Sequence, residues 1–329
     1  ENFDVEKALV RLKKQQRGRK RLFLPWVAAP VVVMVEISAF LLLNRESEVV
    51  NLPVAEKIEP GKAIVTLEMA SGIKYRLDTL SSVLHNNRAN VAFDNNEGVL
   101  KVKEQNSIDR LQQEVGYNTI NVPYGGTYTV ELCDGTKVYL NSGTRLEFPS
   151  RFDGDMRSVS LKGEAYFDVT KKKKTPFIVR TDKYDIEVLG TQFDVDAYPD
   201  QTAFETTLMK GSVKVTSQHF PEQTITLKPH HKAYVKDGQL AVTKVNDFTP
   251  YRWKEGLICF KDEPFQTIME DFEKYYGIRI IINNKKVLKY SYNGKFRQAD
   301  GIDYALRVLQ RDIHFKYERA NDEEIIYIN

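Results

Sequence analysis

From residue 128 to residue 238 the sequence is cut by a turn signal every eight to twelve residues, and the short pieces between alternate in polarity. That pattern leaves few folds open. A strand shows successive side chains to opposite faces, so a run such as Ser212-Val-Lys-Val-Thr216 puts one face on a core and one in water. Such runs cover 128–132, 136–140, 159–162, 165–169, 177–180, 186–189, 193–198, 204–209 and 213–216. Asp134-Gly135, Gly163, Pro199-Asp200, Lys210-Gly211 and Asp237-Gly238 separate them. Asp134-Gly135 predicts a tight type I′ turn, since that turn needs positive φ angles. A composition with 17 Tyr and 17 Phe favours strands too. The expectation for residues 61–248 is an antiparallel β-sandwich or roll. Residues 61–77 echo residues 126–140, each a β run, a Gly turn and a β run, which is either a duplication or two hairpins. Residues 79–118 show the weakest pattern, with one hairpin expected around Asp94-Asn95-Asn96-Glu97-Gly98.

The pattern changes beyond Trp253. Pro264 opens a helix in which Phe265, Ile268, Met269, Phe272 and Tyr276 make one apolar stripe, and Gly277 ends it. Asp300 is expected to cap a second helix with Ile302, Ala305, Leu306 and Leu309 on its apolar face. Strands at 257–260, 278–282, 290–296, 313–317 and 325–328 complete a small α+β domain, 253–329, in the order βαβ-βαββ. Its sheet edges are expected to accept a strand from a partner.

Residues 22–43 read LFLPWVAAPVVVMVEISAFLLL. Twenty-two residues suffice to cross about 30 Å of hydrocarbon. Glu36 costs roughly 3 kcal/mol at mid-helix, while thirteen Leu, Ile, Val or Phe residues return roughly 4 to 8 kcal/mol. Six Lys or Arg residues between 13 and 21 precede the run. The expectation is therefore a single transmembrane helix in the inner membrane, with residues 1–21 a cytoplasmic stub, 44–60 a linker and the bulk periplasmic. A cleaved signal peptide has a shorter apolar region and a small-residue cleavage site. The chain begins with Glu rather than Met, so a longer cytoplasmic part is expected upstream.

A net charge of +3 implies neither nucleic acid nor a polyanionic partner. Cys133 and Cys259 are either two small buried hydrophobes or a pair bridged in an oxidising compartment, and no Cys or His spacing suggests a metal or cofactor. His230-His231 reads as a turn beside Pro229. The run Lys171–Lys174 reads as a solvated hairpin loop. Glu164 and Asp168 are a conceivable carboxylate pair, but their spacing beside a turn reads as structural, so no enzyme acting on an external substrate is expected.

Several motifs follow one another in a specific order: Leu132-Cys-Asp-Gly-Thr-Lys-Val-Tyr-Leu-Asn141-Ser142, Phe148-Pro149, Arg157-Ser-Val-Ser-Leu-Lys-Gly-Glu-Ala-Tyr-Phe-Asp-Val169, Pro176-Phe-Ile-Val179, Val188-Leu-Gly-Thr-Gln-Phe-Asp-Val195, Thr207-Leu-Met-Lys-Gly-Ser-Val213 and Trp253-Lys-Glu-Gly-Leu-Ile-Cys-Phe260. Over nearly its whole length the chain resembles the FecR family of transmembrane anti-sigma factors. Its last domain is similar to the signalling domains of secretins and TonB-dependent transporters. The resemblance implies that cytoplasmic helices hold an extracytoplasmic-function sigma factor, of which residues 3–9 are only the tail of the binding region. It implies that the periplasmic part senses the signalling domain of a cargo-loaded outer-membrane TonB-dependent transporter. It also implies regulated cleavage by an intramembrane protease.

Some members of that family cut themselves in the periplasmic domain, and Gly190-Thr191 matches the step. A Thr hydroxyl can attack the preceding carbonyl to give an ester that water hydrolyses, and Gly accepts the strained geometry this needs. The alternative is a tight turn or bulge at Gly190 and an ordinary β residue at Thr191. The competing function is a membrane-anchored module binding glycans or wall polymer. Such a module needs exposed Trp platforms, whereas Trp26 falls in the apolar run and Trp253 at a domain boundary.

Overall fold

The computed structural model describes residues 64–78, 83–86, 91–96, 98–104, 115–199, 204–320 and 324–329. Two sheets stack over one apolar core. The first runs, in spatial order, through Lys74–Arg76, Thr66–Glu68, Tyr117–Asn121, Arg145–Pro149, the first half of Arg157–Asp168, Phe177–Arg180, Tyr184–Val188, Val213–Ser217 and Thr224–Leu227. The second runs through Val83–Asn86, Val91–Asn96, Val99–Glu104, Tyr128–Glu131, Lys137–Leu140, the second half of Arg157–Asp168, Gln192–Ala197, Glu205–Lys210, His231–Lys236 and Gln239–Lys244. Pairing is antiparallel except at Val99–Glu104 with Tyr128–Glu131 and at Arg157–Asp168 with Phe177–Arg180. The loop 169–176 that carries the four exposed lysines is therefore a crossover between sheets and not a hairpin. Alternation records which face is wet and carries no information on which strand is the partner.

The strand Arg157–Asp168 belongs to both sheets and bends at Gly163, whose φ is 108°. A Cβ there would stand 2.6 Å from Thr144 Oγ1 and 2.8 Å from Thr144 Cα, so the bend requires glycine. On either side of the bend the inward residues, including Val159, Leu161, Ala165 and Phe167, are buried. Phe167 stacks on Phe193 at 5.1 Å. Each such ring contributes roughly 1.5–3 kcal/mol by leaving water.

The hairpin of Tyr128–Glu131 with Lys137–Leu140 forms in the register Glu131↔Lys137, but its loop is longer than expected. Gly135 has φ 83°, whereas Asp134 is not at positive φ, and Gly135 N donates to Leu132 O at 2.8 Å. This is a type I turn closed by a left-handed glycine, not a type I′ turn. Asp134 is held inside, accepting from Thr136 N and Thr136 Oγ1 at 2.9 Å and from Arg157 Nη1 at 2.6 Å. The two echoing segments are both hairpins, in different sheets. A hairpin turns at Gly98 as well. Cys133, in the hairpin loop, and Cys259 are not bridged.

Residues 257–328 form the α+β unit, with strand Leu257–Pro264, helix α1 (Phe265–Tyr276), strand Arg279–Ile282, strand Ser291–Arg297, helix α2 (Ile302–Leu309) and strands Tyr317–Arg319 and Ile325–Ile328. Leu257–Pro264 pairs with Ser291–Arg297; the other three form a sheet with Ile325–Ile328 at its centre. All five stripe residues of α1 are buried, and Gly277 caps it at φ 64°. At α2 the expected cap is replaced. Asp300 lies in a 3-10 turn, Gly301 holds the cap position, and Asp303 pairs with Arg319.

The expectation of a transmembrane helix, and with it a single-pass inner-membrane location, is corrected by the described structure, in which no helix is long and apolar enough to cross a membrane. The longest, α1, has twelve residues, or about 18 Å, against about 30 Å of hydrocarbon. It also carries Glu270, Asp271, Glu273 and Lys274. The run 22–43 on which that expectation rested, like the stub 1–21 and the linker 44–60, lies outside the described residues.

Candidate functional site

The α+β unit has its own apolar core, which shares no residue with the core of the sandwich. What joins the two is a polar junction on the outer face of the second sheet. Two pieces of chain build it from the C-terminal side, the 3-10 turn Thr249–Glu255 and the last turn of α1.

The end of α1 seats on the loops 123–126 and 141–144. Lys274 O accepts from Gly125 N at 2.8 Å and from Ser142 Oγ at 2.5 Å. A Cβ on Gly277 would fall 2.8 Å from Tyr124 O, so backbone meets backbone here. Helix carbonyls in the last turn lack partners within the helix, and the sandwich supplies them for Lys274. In the 3-10 turn, Tyr251 Oη shares a hydrogen bond with Thr207 Oγ1 at 2.7 Å, Trp253 is only 3 % exposed, and Lys254 Nζ lies 3.3 Å from the centre of the Tyr166 ring. Trp253 thus offers no face on which a sugar could stack.

Beneath this contact lies a ladder of acids. Glu164 stands opposite Asp196, and Asp196 opposite Glu205. Asp194 is two residues along on the same face. Asn141 Nδ2 donates to Glu164 Oε2 at 2.7 Å, while Thr144 Oγ1 donates to Glu164 O and accepts from Glu164 N at 3.0 Å. Tyr198 Oη donates to Ser142 O at 2.6 Å. Burial, reinforced by Asp194 and Asp196 and opposed by Asn141, pushes the Glu164 carboxyl well above the usual range. Burial and Asp196 raise Asp194 likewise, against Trp253 and Lys254. Burial pushes Asp271 of α1 up to about 7, with Lys274 opposing. Burial holds Lys254 below its usual range.

The two residues singled out for self-cleavage sit elsewhere. Gly190 packs so close to Lys171 that a Cβ would lie 2.6 Å from Lys171 Cα. Thr191 is buried, and its hydroxyl donates to Ser212 O at 3.0 Å. A register shift between Gln192 and Phe193 marks a bulge beside them. The Glu164 and Asp168 pairing does not define a site, since the acids acting most strongly on Glu164 are Asp194 and Asp196, on the neighbouring strand.

Two family models match the chain: residues 118–214 match "FecR protein" and residues 257–327 match "FecR, C-terminal". The chain carries FecR-family domains. The junction described above lies between them, and Asn141, Ser142, Glu164 and Asp194 fall in the first. Two crystal structures, at 1.65 Å and 2.50 Å, of a candidate anti-sigma factor from Parabacteroides distasonis ATCC 8503 are similar, with 29% and 28% identity and a TM-score of 0.56. Each alignment covers 64% of this chain and 98% of that one. No curated protein matches. Among the described residues no group of three or more His, Cys, Asp or Glu is placed to hold a metal ion.

Proposed function

We propose that this chain is an anti-sigma-type signal relay. It receives a cargo-loaded TonB-dependent transporter through that transporter's signalling domain and passes the signal to an extracytoplasmic-function sigma factor. The observation that carries this reading is the two FecR-family matches on either side of a polar junction. The likeness to the Parabacteroides protein supports it. Partner contact is assigned to the α+β unit, in which four of the described strands pair on one side only, Leu257–Pro264, Arg279–Ile282, Ser291–Arg297 and Tyr317–Arg319. Such edges accept a further strand through main-chain hydrogen bonds.

The test is a pull-down with the full chain and with a chain ending at residue 248, read by mass spectrometry. A sigma factor captured by both, and a TonB-dependent transporter captured only by the full chain, is the expected result. Capture of neither sinks the relay and turns attention to glycan binding.

Self-cleavage at Gly190-Thr191 is a separate proposal, favoured by a Gly190 φ of 156° at a tightly packed position beside a bulge. The Thr191 hydroxyl would leave Ser212 O and attack the Gly190 carbonyl carbon, its proton passing to the Thr191 nitrogen as the C–N bond breaks, and water would then hydrolyse the ester to a Gly190 carboxylate and a free Thr191 hydroxyl. Parent protein found as two fragments, with Thr191→Ala intact, is the expected outcome. Identical fragmentation of both proteins excludes this chemistry.

A further inference from the structure

The covered face of the sandwich is crowded with acids in a way that sheet packing alone does not require. Glu164, Asp196 and Glu205 are opposed across three neighbouring strands, and like charges placed opposite one another are unfavourable. Glu205 is relieved by Lys232 at 2.7 Å. Glu164 is met by a neutral amide, Asn141. When α1 docks it brings a further acid, Asp271, towards the same place. The cations that come with it are Lys274, 4.8 Å from the centre of the Tyr198 ring, and Lys254, on the Tyr166 ring. Four carboxyls (Glu164, Asp194, Asp196 and Asp271) thus share one junction with two lysines that rest on aromatic faces. A cleft of about 670 Å³, lined by Tyr124, Asp196, Asp271, Lys274 and Arg279 among others, opens beside them and gives water a route to the acids.

From this arrangement we propose that docking of the α+β unit on the sandwich is proton-linked, closed while Glu164 and Asp271 carry protons and opening as they ionise. The linkage is independent of which partner is bound. Groups facing Asp271 are Lys274, Glu263, Asp196 and Glu270. Those facing Glu164 are Asp194, Asp196, Asn141 and Asp271, with the phenols of Tyr198, Tyr251 and Tyr275. Those facing Asp194 are Asp196, Trp253, Lys254 and Glu205. Burial is the leading cause in each case, and Asp271 is pushed up to about 7 when docked. Undocked and hydrated, an Asp titrates near 3.9. The docked state therefore binds more protons between about pH 4 and pH 7. Docking is strongest below about pH 4, weakens as pH rises through that window and is weakest above pH 7. For Asp271 alone the docking equilibrium shifts on the order of 10²–10³-fold.

The chain has two tryptophans, so Trp26→Phe in the full chain leaves Trp253, buried at the junction, as the reporter. Acrylamide quenching of its emission is followed from pH 5 to pH 9, with far-UV circular dichroism recorded alongside. Quenching that rises several-fold as the pH climbs towards 7 and levels off above it, at constant dichroism, is expected. Glu164→Gln and Asp271→Asn, singly and together, are expected to keep Trp253 shielded across the range, while Glu187→Gln, on an exposed ion pair, leaves the parent curve in place. A flat parent curve overturns the proposal. So does a curve that the single and double variants do not move, or quenching that rises only with loss of dichroism.

Discussion

Asp134→Ala is expected to lower stability by about 3–5 kcal/mol, because it strands a charge that cannot be discharged. The Asp134 and Arg157 side chains are 2 % and 1 % exposed. Removing the carboxylate leaves the guanidinium with Thr170 O at 2.9 Å, Thr175 O at 3.1 Å and the face of Phe177. Its Nη2 is already buried without a hydrogen-bond partner among the described residues. An arginine stays protonated at any working pH, so the fold bears the desolvation cost. Arg157→Met is expected to cost less, since Asp134 keeps its bonds from Thr136. The double variant, with both charges gone, is expected to recover most of the loss. Urea unfolding followed by circular dichroism tests the ranking. A single Asp134→Ala penalty below about 1 kcal/mol would show that the pair is an incidental contact.

The second large effect is expected at the bend of the shared strand. Gly163→Ala places a methyl against the backbone of Thr144 at a φ of 108°. Strain of roughly 1–3 kcal/mol and overpacking of roughly 1–3 kcal/mol add to about 2–6 kcal/mol. Gly154→Ala separates the two terms, because Gly154 also has positive φ, at 88°, but has open space around its Cα. About 1 kcal/mol is expected there. Equal penalties at both positions in thermal unfolding would refute the steric part. Gly163→Ala should also disturb the junction, because Thr144 is the residue that brackets the backbone of Glu164.

Much of the local structure is readable from residues alone. The stripe on α1 works because one helix buries one face, so period and burial coincide at Phe265, Ile268, Met269, Phe272 and Tyr276. The turn at Gly135 is less decisive, since a left-handed glycine serves both a two-residue and a longer loop. Asp300 has the chemistry of a cap, but Gly301 takes the position. The junction is hidden for a different reason. Glu164, Asp194 and Asp196 sit on the wet phase of their strands, where acids are ordinary. What covers them comes from residues 249–277, far along the chain, and no periodicity reports that. The available signal is three acids in phase on neighbouring strands together with a lone Trp at the boundary. Apolar patterning also says nothing of Arg157, a buried charge at the start of a motif.

The two separate apolar cores have a thermal consequence. Unfolding either one exposes hydrocarbon and raises the heat capacity, whereas parting the junction uncovers carboxyls, amides, hydroxyls and lysine ends, whose hydration lowers it and offsets the rings beside them. The enthalpy of parting should therefore change little from cold to warm, so that a van't Hoff plot of the joined and parted forms stays straight across the temperatures at which the folded chain survives.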